Sequence, residues 1–382
     1  MPKITPNRRK IVIIVSSPIT AKVFLSQQIS ELSKIYDLTL VANFGKDAPL
    51  VEELDWLNKL VHVKNIPIER EIKLFSDMKA FVMLYLFLRK HNFSLIHSFT
   101  PKAGLLAMAS SCAARVPIRI HTFTGQVWAT KHGVLRLFLK NIDKLISTFA
   151  TSILVDSPSQ RDFLLENMIL PPIKPKVLGS GSISGVDEKI FKNNSLARKN
   201  IRAKLRTDNS SIVILFLGRL KKEKGVVELI DAFSSLAHTD KRVILWLVGM
   251  DEDGLQHELH VPENVFWIPH TDIPEQYMAA ADIFCLPSYR EGFGSVVIEA
   301  AACGIPSIGS DIYGLNDAIV DKITGILVPV KSVKYLNIAM QKLVDNKTMR
   351  ERMGAMAKSR AIKEFSQSKL TELLIQHYRS LL

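Results

Sequence analysis

Two stretches of this chain combine residue types that together can hold a diphosphate and the sugars attached to it. The first is Gly218-Arg219-Leu220-Lys221-Lys222-Glu223-Lys224-Gly225, which follows the apolar run IVILFL and precedes a helical pattern, VVELIDAF. A glycine at a strand end lets a ligand approach the backbone. Arg219 can fork onto a phosphate and Lys224 can add a point charge, each such charged hydrogen bond contributing about 1.5–3 kcal/mol. The order GxxxxGK[ST] of a Walker loop is absent, and a solvated basic turn accounts for these residues equally well. The second stretch, Pro287-Ser288-Tyr289-Arg290-Glu291-Gly292-Phe293-Gly294-Ser295, joins the run IFCLP to the helical pattern SVVIEAAAC. Gly292 and Gly294 permit close backbone approach, and the free N–H groups of a helix start favour an anion. Glu291 stands at the mouth of this loop. Glu299, eight residues on, can accept hydrogen bonds from the two hydroxyls of a ribose. A helix-start carboxylate and a core-edge glutamate explain each acid singly, but less well the two acids, two glycines and upstream cations as a set.

The elements around these loops alternate. In the first half, strand-like runs IVIIV (11–15), LTLVA (38–42), LVHVKNI (60–66), SLIHSF (94–99), RIHTFT (119–124) and SILVDS (152–157) are separated mostly by helical patterns. These include an amphipathic stretch with Phe24, Ile29 and Leu32, and the segments 69–91, 102–115 and 132–148. A loop, Ser16-Ser17-Pro18-Ile19-Thr20, follows the first run. In the second half, strands are expected at 212–218, 243–249, 265–269, 283–288, 306–310 and 325–328, with helices at 225–237, 274–281, 295–303 and 333–344. Such alternation predicts an α/β fold of mostly parallel sheets covered on both faces. The Pro-, Gly- and Ser-rich loop Pro171–Val186 is the best boundary. The expectation is two tandem Rossmann-like, doubly wound domains with an interdomain cleft, over 1–175 and 176–360, and a C-terminal helix over 361–382 that packs back on the first. Ligands of such sheets bind beyond the carboxyl ends of the strands.

At 382 residues the chain exceeds the usual size of one hydrophobic core. The net charge of +13 is uneven: residues 1–185 hold 24 Lys and Arg against 13 Asp and Glu, and residues 186–382 hold 26 against 24. An anionic partner is therefore expected at the first half. Helix-turn-helix, zinc and RNP-type patterns are absent and the basic residues are scattered, which argues against nucleic acid. Cys112, Cys285 and Cys303 lie far apart in apolar or small-residue surroundings, with no metal or disulfide spacing, as in a reduced, cytoplasmic chain. The amino terminus lacks the apolar core of a signal peptide, and the run AFVMLYLFL (80–88) is half the roughly 20 residues needed to span a bilayer.

Arg290–Ile308 (REGFGSVVIEAAACGIPSI) resembles the E-x7-E signature and small-Gly-x-Pro turn of the family 4 glycosyltransferases, retaining enzymes of the GT-B fold. Phe216–Gly225 is similar to their phosphate-binding strand end, and Gly185-Val186-Asp187 with Phe191 to their interdomain segment. The similarity runs in order through most of residues 178–330. It implies that Glu291 contacts donor-sugar hydroxyls, and that the backbone at Gly292, Phe293, Gly294 and Ser295 holds the diphosphate. Arg219 and Lys224, beside Gly218, neutralise it as it leaves. Glu299 binds the ribose, and Pro269 and His270 lie against the base. It also implies a front-face substitution needing no metal or other cofactor. On that reading Asp251-Glu252-Asp253 is a polar loop rather than a metal site.

More loosely, His97–Gly104 and His121–Trp128 resemble enzymes that build bacterial capsule and O-antigen repeats on a lipid diphosphate carrier. The implied reaction moves a hexose or N-acetylhexosamine from a nucleotide diphosphate sugar, UDP by default, to a lipid-linked saccharide acceptor. The chain departs from the family in lacking a Gly-rich loop after its first strand and in carrying Thr124, not His, before Gly125. Lys102, His121, Thr124 and Gly125 are the acceptor-side candidates. Trp128, Lys131, Arg136, Lys140 and Lys144 interleave with Val134, Leu135, Leu137, Phe138 and Leu139, a pattern suited equally to an anionic membrane surface or to ordinary packing. The segment 79–90 reads mainly as a buried core helix. The expected location is the cytoplasmic face of the membrane, held peripherally. Competing readings are an epimerase or phosphorylase of the same fold, and a two-lobed ligand-binding protein.

Overall fold

The computed structural model describes residues 8–45, 55–69, 73–172 and 175–382. Residues 1–7 and the 70–72 portion of the expected 69–91 helix lie outside the described residues. The chain divides into two units, residues 1–184 with 368–382, and residues 185–367.

In the first unit the order is β1 (Lys10–Ile14), α1 (Pro18–Phe24), α2 (Ser26–Ile35), β2 (Asp37–Ala42), α3 (Asp55–Leu60), β3 (His62–Asn65) and α4 (Leu74–His91). There follow β4 (Leu95–Phe99), α5 (Pro101–Ala113), β5 (Ile118–Phe123), α6 (Gly133–Phe149), β6 (Ser152–Val155), α7 (Pro158–Glu166) and β7 (Pro175–Val177). Seven strands form one sheet in the order β3-β2-β1-β4-β5-β6-β7, every pair parallel. Ile11, Val12, Ile13 and Ile14 are all buried, because each face of the sheet carries a helical layer. On one side Ala80, Leu84 and Leu88 of α4 join α5, Ile146 of α6 and Leu164 of α7 in a common core. On the other, Ile29 and Leu32 of α2 and Leu57 of α3 pack with Leu374 and Tyr378 near the carboxyl terminus.

Two local expectations change. The stretch 16–20 is not a loop throughout: α1 begins at Pro18, with Ser17 as its cap accepting from the Ile19 amide at 3.3 Å. Proline suits a first helical position because the amide it lacks has no partner there. Within the Pro171–Val186 stretch, Pro175–Val177 pairs in parallel with β6 as a seventh strand. The chain accordingly changes unit at Ser184.

The second unit runs α8 (Ser195–Lys204), β8 (Ile212–Leu217), α9 (Val226–Thr239), β9 (Val243–Val248), α10 (Leu255–Glu258), β10 (Val265–Ile268) and α11 (Pro274–Ala280). It continues through β11 (Ile283–Leu286), α12 (Ser295–Ala302), β12 (Ser307–Ser310), α13 (Leu315–Ala318), β13 (Gly325–Val328), α14 (Val333–Asp345) and α15 (Lys347–Phe365). Its six strands are parallel in the order β10-β9-β8-β11-β12-β13. A last helix, α16 (Gln367–Leu381), belongs to the first unit from Ser368 onward. There Tyr378 is fully buried, with its hydroxyl 2.7 Å from His97 Nδ1, and His377 Nε2 lies 3.1 Å from Ser152 Oγ.

The architecture expected from the sequence, two doubly wound parallel sheets, is thus what the chain adopts. In each sheet the strand order reverses once, between β1 and β4 and between β8 and β11. At such a reversal the loops on either side diverge and leave a crevice at the carboxyl edge.

Candidate functional site

At the β8/β11 reversal the two stretches singled out from the sequence meet. Lys224 Nζ lies 2.5 Å from Glu291 Oε1, and Ser288 Oγ donates to the same oxygen at 2.8 Å. Neither partner of the ion pair is fully exposed, the side chains being 18% and 14% accessible, so solvent screens the pair less than a surface bridge. Gly225 adopts φ +72°, and a Cβ there would lie 2.1 Å from the Pro287 carbonyl oxygen. Only glycine allows both that conformation and that approach. The Tyr289 amide donates to the Glu223 carbonyl at 2.9 Å, its hydroxyl donates to Glu228 Oε1 at 2.5 Å, and Arg290 pairs with Glu223 at 3.1 Å. The loop that carries Glu291 is therefore braced along its length by the loop that carries Lys224.

Helix α12 starts next to this pair. Its cap is Gly294, at φ +84°, and no side chain caps the first turn. Uncapped N–H groups and the helix dipole, equivalent to about half a positive charge, give this end of the helix a positive potential. Phe293, between the two glycines, turns into the core against Phe365, ring centroids 5.1 Å apart, so only its backbone faces the loop side. On the far flank Gly314 comes so close that a Cβ would sit 2.5 Å from the Gly292 carbonyl oxygen.

Glu299 keeps part of its surface open, while its carboxyl is surrounded closely enough that burial pushes its pKa up to about 7. On the other side of β8, a Cβ on Gly249 would lie 1.8 Å from the Gly218 carbonyl oxygen, and Leu220 N–H donates to the Met250 carbonyl at 2.8 Å. Arg219 pairs with Glu252 at 3.3 Å rather than with Glu291, and Lys221 pairs with the same glutamate at 3.0 Å. Asp251 accepts the amides of Leu255 and Gln256, and Asp253 accepts that of Lys222. All three acids of 251–253 are thus engaged in shaping the loop. Pro269 and His270 follow β10 at the same carboxyl edge, with His270 largely exposed beside Asp272 at 3.0 Å.

The first-unit candidates are scattered by comparison. Lys102, at the start of α5, pairs with Asp77 of α4 at 2.7 Å and is mostly buried. His121 is a core residue: Ser98 Oγ lies 2.8 Å from its Nδ1, and a Cβ on Gly104 would fall 2.3 Å from its ring. Burial pushes its pKa down to about 3, so the ring is neutral. Thr124 and Gly125, the latter at φ +119°, form the partly open loop after β5. For Trp128, of the two readings its segment left open, packing is the one that holds. The residue is buried, stacked on Phe163 at 5.2 Å and donating to Asp143 at 2.7 Å, with Arg136 and Lys140 over its ring. A buried indole needs a partner for its N–H, and Asp143 supplies it here.

Sequence reasoning passed over Ser288 and, at the β1/β4 reversal, the 2.8 Å contact of Ser16 with Thr100, a β-branched residue held at φ +69°. Strain of that kind is retained where neighbouring structure enforces it. Position at a strand end was the one signal for both, and it does not single out a serine among its neighbours.

Two family models match the chain, one described as glycosyl transferases group 1 over residues 197–360, the other as glycosyltransferase family 4 over residues 23–181. The capsular polysaccharide biosynthesis glycosyltransferase CapM of Staphylococcus aureus is 32% identical over 358 residues, 91% of each chain. An Escherichia coli UDP-Gal:alpha-D-GlcNAc-diphosphoundecaprenol alpha-1,3-galactosyltransferase is 24% identical over 325 residues, 82% of this chain and 81% of that one. Among solved structures, Anabaena HepE in complex with UDP and glucose superposes with a TM-score of 0.80 at 19% identity, covering 97% of this chain and 100% of the other.

Proposed function

The chain belongs to the family 4 glycosyltransferases, with the GT-B fold, and from that premise we propose that it is a retaining, metal-independent enzyme. It moves a hexose or N-acetylhexosamine from a UDP-sugar to a saccharide on a lipid diphosphate in surface polysaccharide synthesis. The observation that carries this reading is the Lys224–Glu291 pair beside the uncapped start of α12, at the point where the strand order reverses. The amides of 292–295 take the diphosphate, Arg219 and Lys224 supply cations, and Glu291 meets the sugar hydroxyls. The departing phosphate oxygen accepts the proton of the acceptor hydroxyl as that hydroxyl bonds to the anomeric carbon on the same face. Charge growing on the phosphate is met by groups already in place. The UDP assignment and the lipid diphosphate acceptor are supported by what the E. coli relative acts on.

Glu299 is the ribose ligand on this reading, and its raised pKa makes donor binding proton-linked. A carboxylate accepts both ribose hydroxyls only when ionised. With a free-state pKa of about 7, a UDP-sugar, whose diphosphate has no proton to lose in this range, should bind about tenfold more weakly at pH 6 than at pH 8. Titration calorimetry at both pH values measures this, and a pH-independent affinity would remove Glu299 from the site. Because burial raises this pKa above its ordinary 4.5, the stability it contributes is full below 4.5 and is lost as pH rises through 7. Glu299→Gln should therefore melt higher than wild type at pH 8 while binding UDP less well.

The partner surface we assign to an anionic membrane lies on the first unit. α5 packs between α4 and α6. α6 leaves Val134, at 85% exposure, with Leu135, Leu137 and Phe138 in solvent near Lys131 and Arg136. α4 buries only one stripe and exposes Phe75 at 96%, Met78, Val82 and Leu86. Among the described residues no helix is long and apolar enough to cross a membrane, so these faces suit contact in the interface plane. Co-sedimentation with phosphatidylglycerol vesicles should fall about tenfold for Val134→Asp/Leu137→Asp. Equal binding by variant and wild type would place the contact elsewhere.

A further inference from the structure

We infer that Ser288 is a positioning residue for Glu291, its hydroxyl pinning Oε1 so that Oε2 is the oxygen left for the donor sugar. The inference rests on the proposed role of Glu291 at the sugar.

Ser288 is completely buried, two residues past the end of β11, and its Oγ donates to Glu291 Oε1 at 2.8 Å. Lys224 reaches the same oxygen at 2.5 Å. The carboxyl torsion of a glutamate is broad and offers little intrinsic preference, so the plane of this carboxylate depends on its donors. The two donors differ in kind. Lys224 is a compact charge on a flexible four-carbon stem, and it follows whichever anion is nearest; once a diphosphate arrives, its protons are shared. The Ser288 hydroxyl sits on a short side chain in a loop fixed by Tyr289 and Arg290 to Glu223 and by Pro287 against Gly225. It is the donor that stays with Glu291 when the site fills. A carboxylate has about four lone-pair positions, and two donors at Oε1 leave those of Oε2 for the hydroxyls of a sugar. Preorganisation of this type acts on the sugar and not on the nucleotide.

That difference supplies the test. Calorimetric titrations would use UDP and, separately, UDP-galactose, UDP-glucose and UDP-N-acetylglucosamine, on wild type, Ser288→Ala, Glu291→Ala and the double variant. In Ser288→Ala, affinity for UDP should stay within about twofold, while the UDP-sugar bound best by wild type should lose about tenfold, the worth of one hydrogen bond to a charged group. In the Glu291→Ala background the same serine change should cost nothing further, because its only route to the sugar is gone. Ser288→Cys, which keeps the side chain but donates weakly, should show the same sugar-specific loss if the alanine variant folds poorly. Equal losses for UDP and UDP-sugar, no loss at all, or a sugar-specific loss that persists without Glu291 would each overturn the inference and leave the donor site standing. A wild-type chain that binds neither UDP nor any UDP-sugar would instead remove the donor-site reading, and this inference with it.

Discussion

Glu291→Ala is expected to lower the rate of sugar transfer by about 10²–10³-fold, the usual effect of deleting one preorganised group that acts on the reacting centre, while UDP binds as tightly as before or more so. The two halves of that expectation share one cause. Glu291 holds Lys224 at 2.5 Å, and its removal releases a cation that is 18% accessible beside the start of α12. A diphosphate is the anion that replaces the lost carboxylate best. The nucleotide therefore gains what the sugar loses. Glu291→Gln separates charge from hydrogen bonding: it keeps an acceptor for a sugar hydroxyl and for Ser288 but releases Lys224 in the same way. The measurement is UDP release from a UDP-sugar in the presence of lipid-linked saccharide, set beside calorimetry with UDP. Turnover within about twofold of wild type in Glu291→Ala would sink the assignment of this residue to the reacting sugar.

The second large effect concerns stability and lies away from the site. Arg202 is 1% exposed and fills a buried gap in the second unit. Its guanidinium donates to the carbonyls of Ala280 at 3.0 Å, Asp208 at 2.8 Å and Ser211 at 3.1 Å, and to Asp282 Oδ2 at 2.6 Å. Asp282 in turn accepts from Arg198 at 2.7 Å and from the Val213 amide at 2.8 Å. Burial works to lower the pKa of Arg202 and the Asp282 charge works against that. Arg202→Met keeps the length of the stem but takes the guanidinium donor from the part-buried Asp208 and Ser211 carbonyls, leaves the Ala280 carbonyl with Arg198 alone at 2.9 Å, and leaves Asp282 with half its compensation. Breaking a buried pair in this manner costs about 3–5 kcal/mol, which for a unit of this size lowers the melting temperature by roughly 10 °C. A thermal melt checks it, with UDP affinity measured well below the transition as a control. A loss under about 2 °C would mean that water satisfies the exposed carbonyls.

Much of this site was legible because its parts are close in sequence to strand ends. Gly218–Gly225 and Pro287–Ser295 follow apolar runs long enough to be strands, and a parallel sheet puts every such loop on one edge. That the two loops would touch was less legible, since β8 and β11 are separated by 65 residues of other elements and become neighbours only through the crossover order. The partners of individual charges were not legible at all. Arg219 and Lys224 sit five residues apart in one basic run, yet one pairs with Glu252 and the other with Glu291. Trp128 stands in a cationic, apolar segment that suits a membrane surface and ordinary packing equally, and the deciding fact was Asp143 one helix away, ready to accept its N–H. His121 looked available beside Thr124, but alternation along β5 and the absence of a side chain at Gly104 draw it into the core.

Hydrophobic periodicity and glycine placement, both local properties, were enough to determine two doubly wound parallel sheets and the loops that end them. Membership of the family followed from residues 290–308, because a helix start, a glycine pair and two acids eight apart are all encoded in consecutive positions. Only the tertiary structure decided which carboxylate each cation meets, that Ser288 shares an oxygen with Lys224, that Pro175–Val177 completes a sheet, and that residues 368–382 belong to the first unit. Those outcomes depend on side chains tens to hundreds of residues apart competing for the same buried space and the same hydrogen bonds, a competition that no local window of sequence contains.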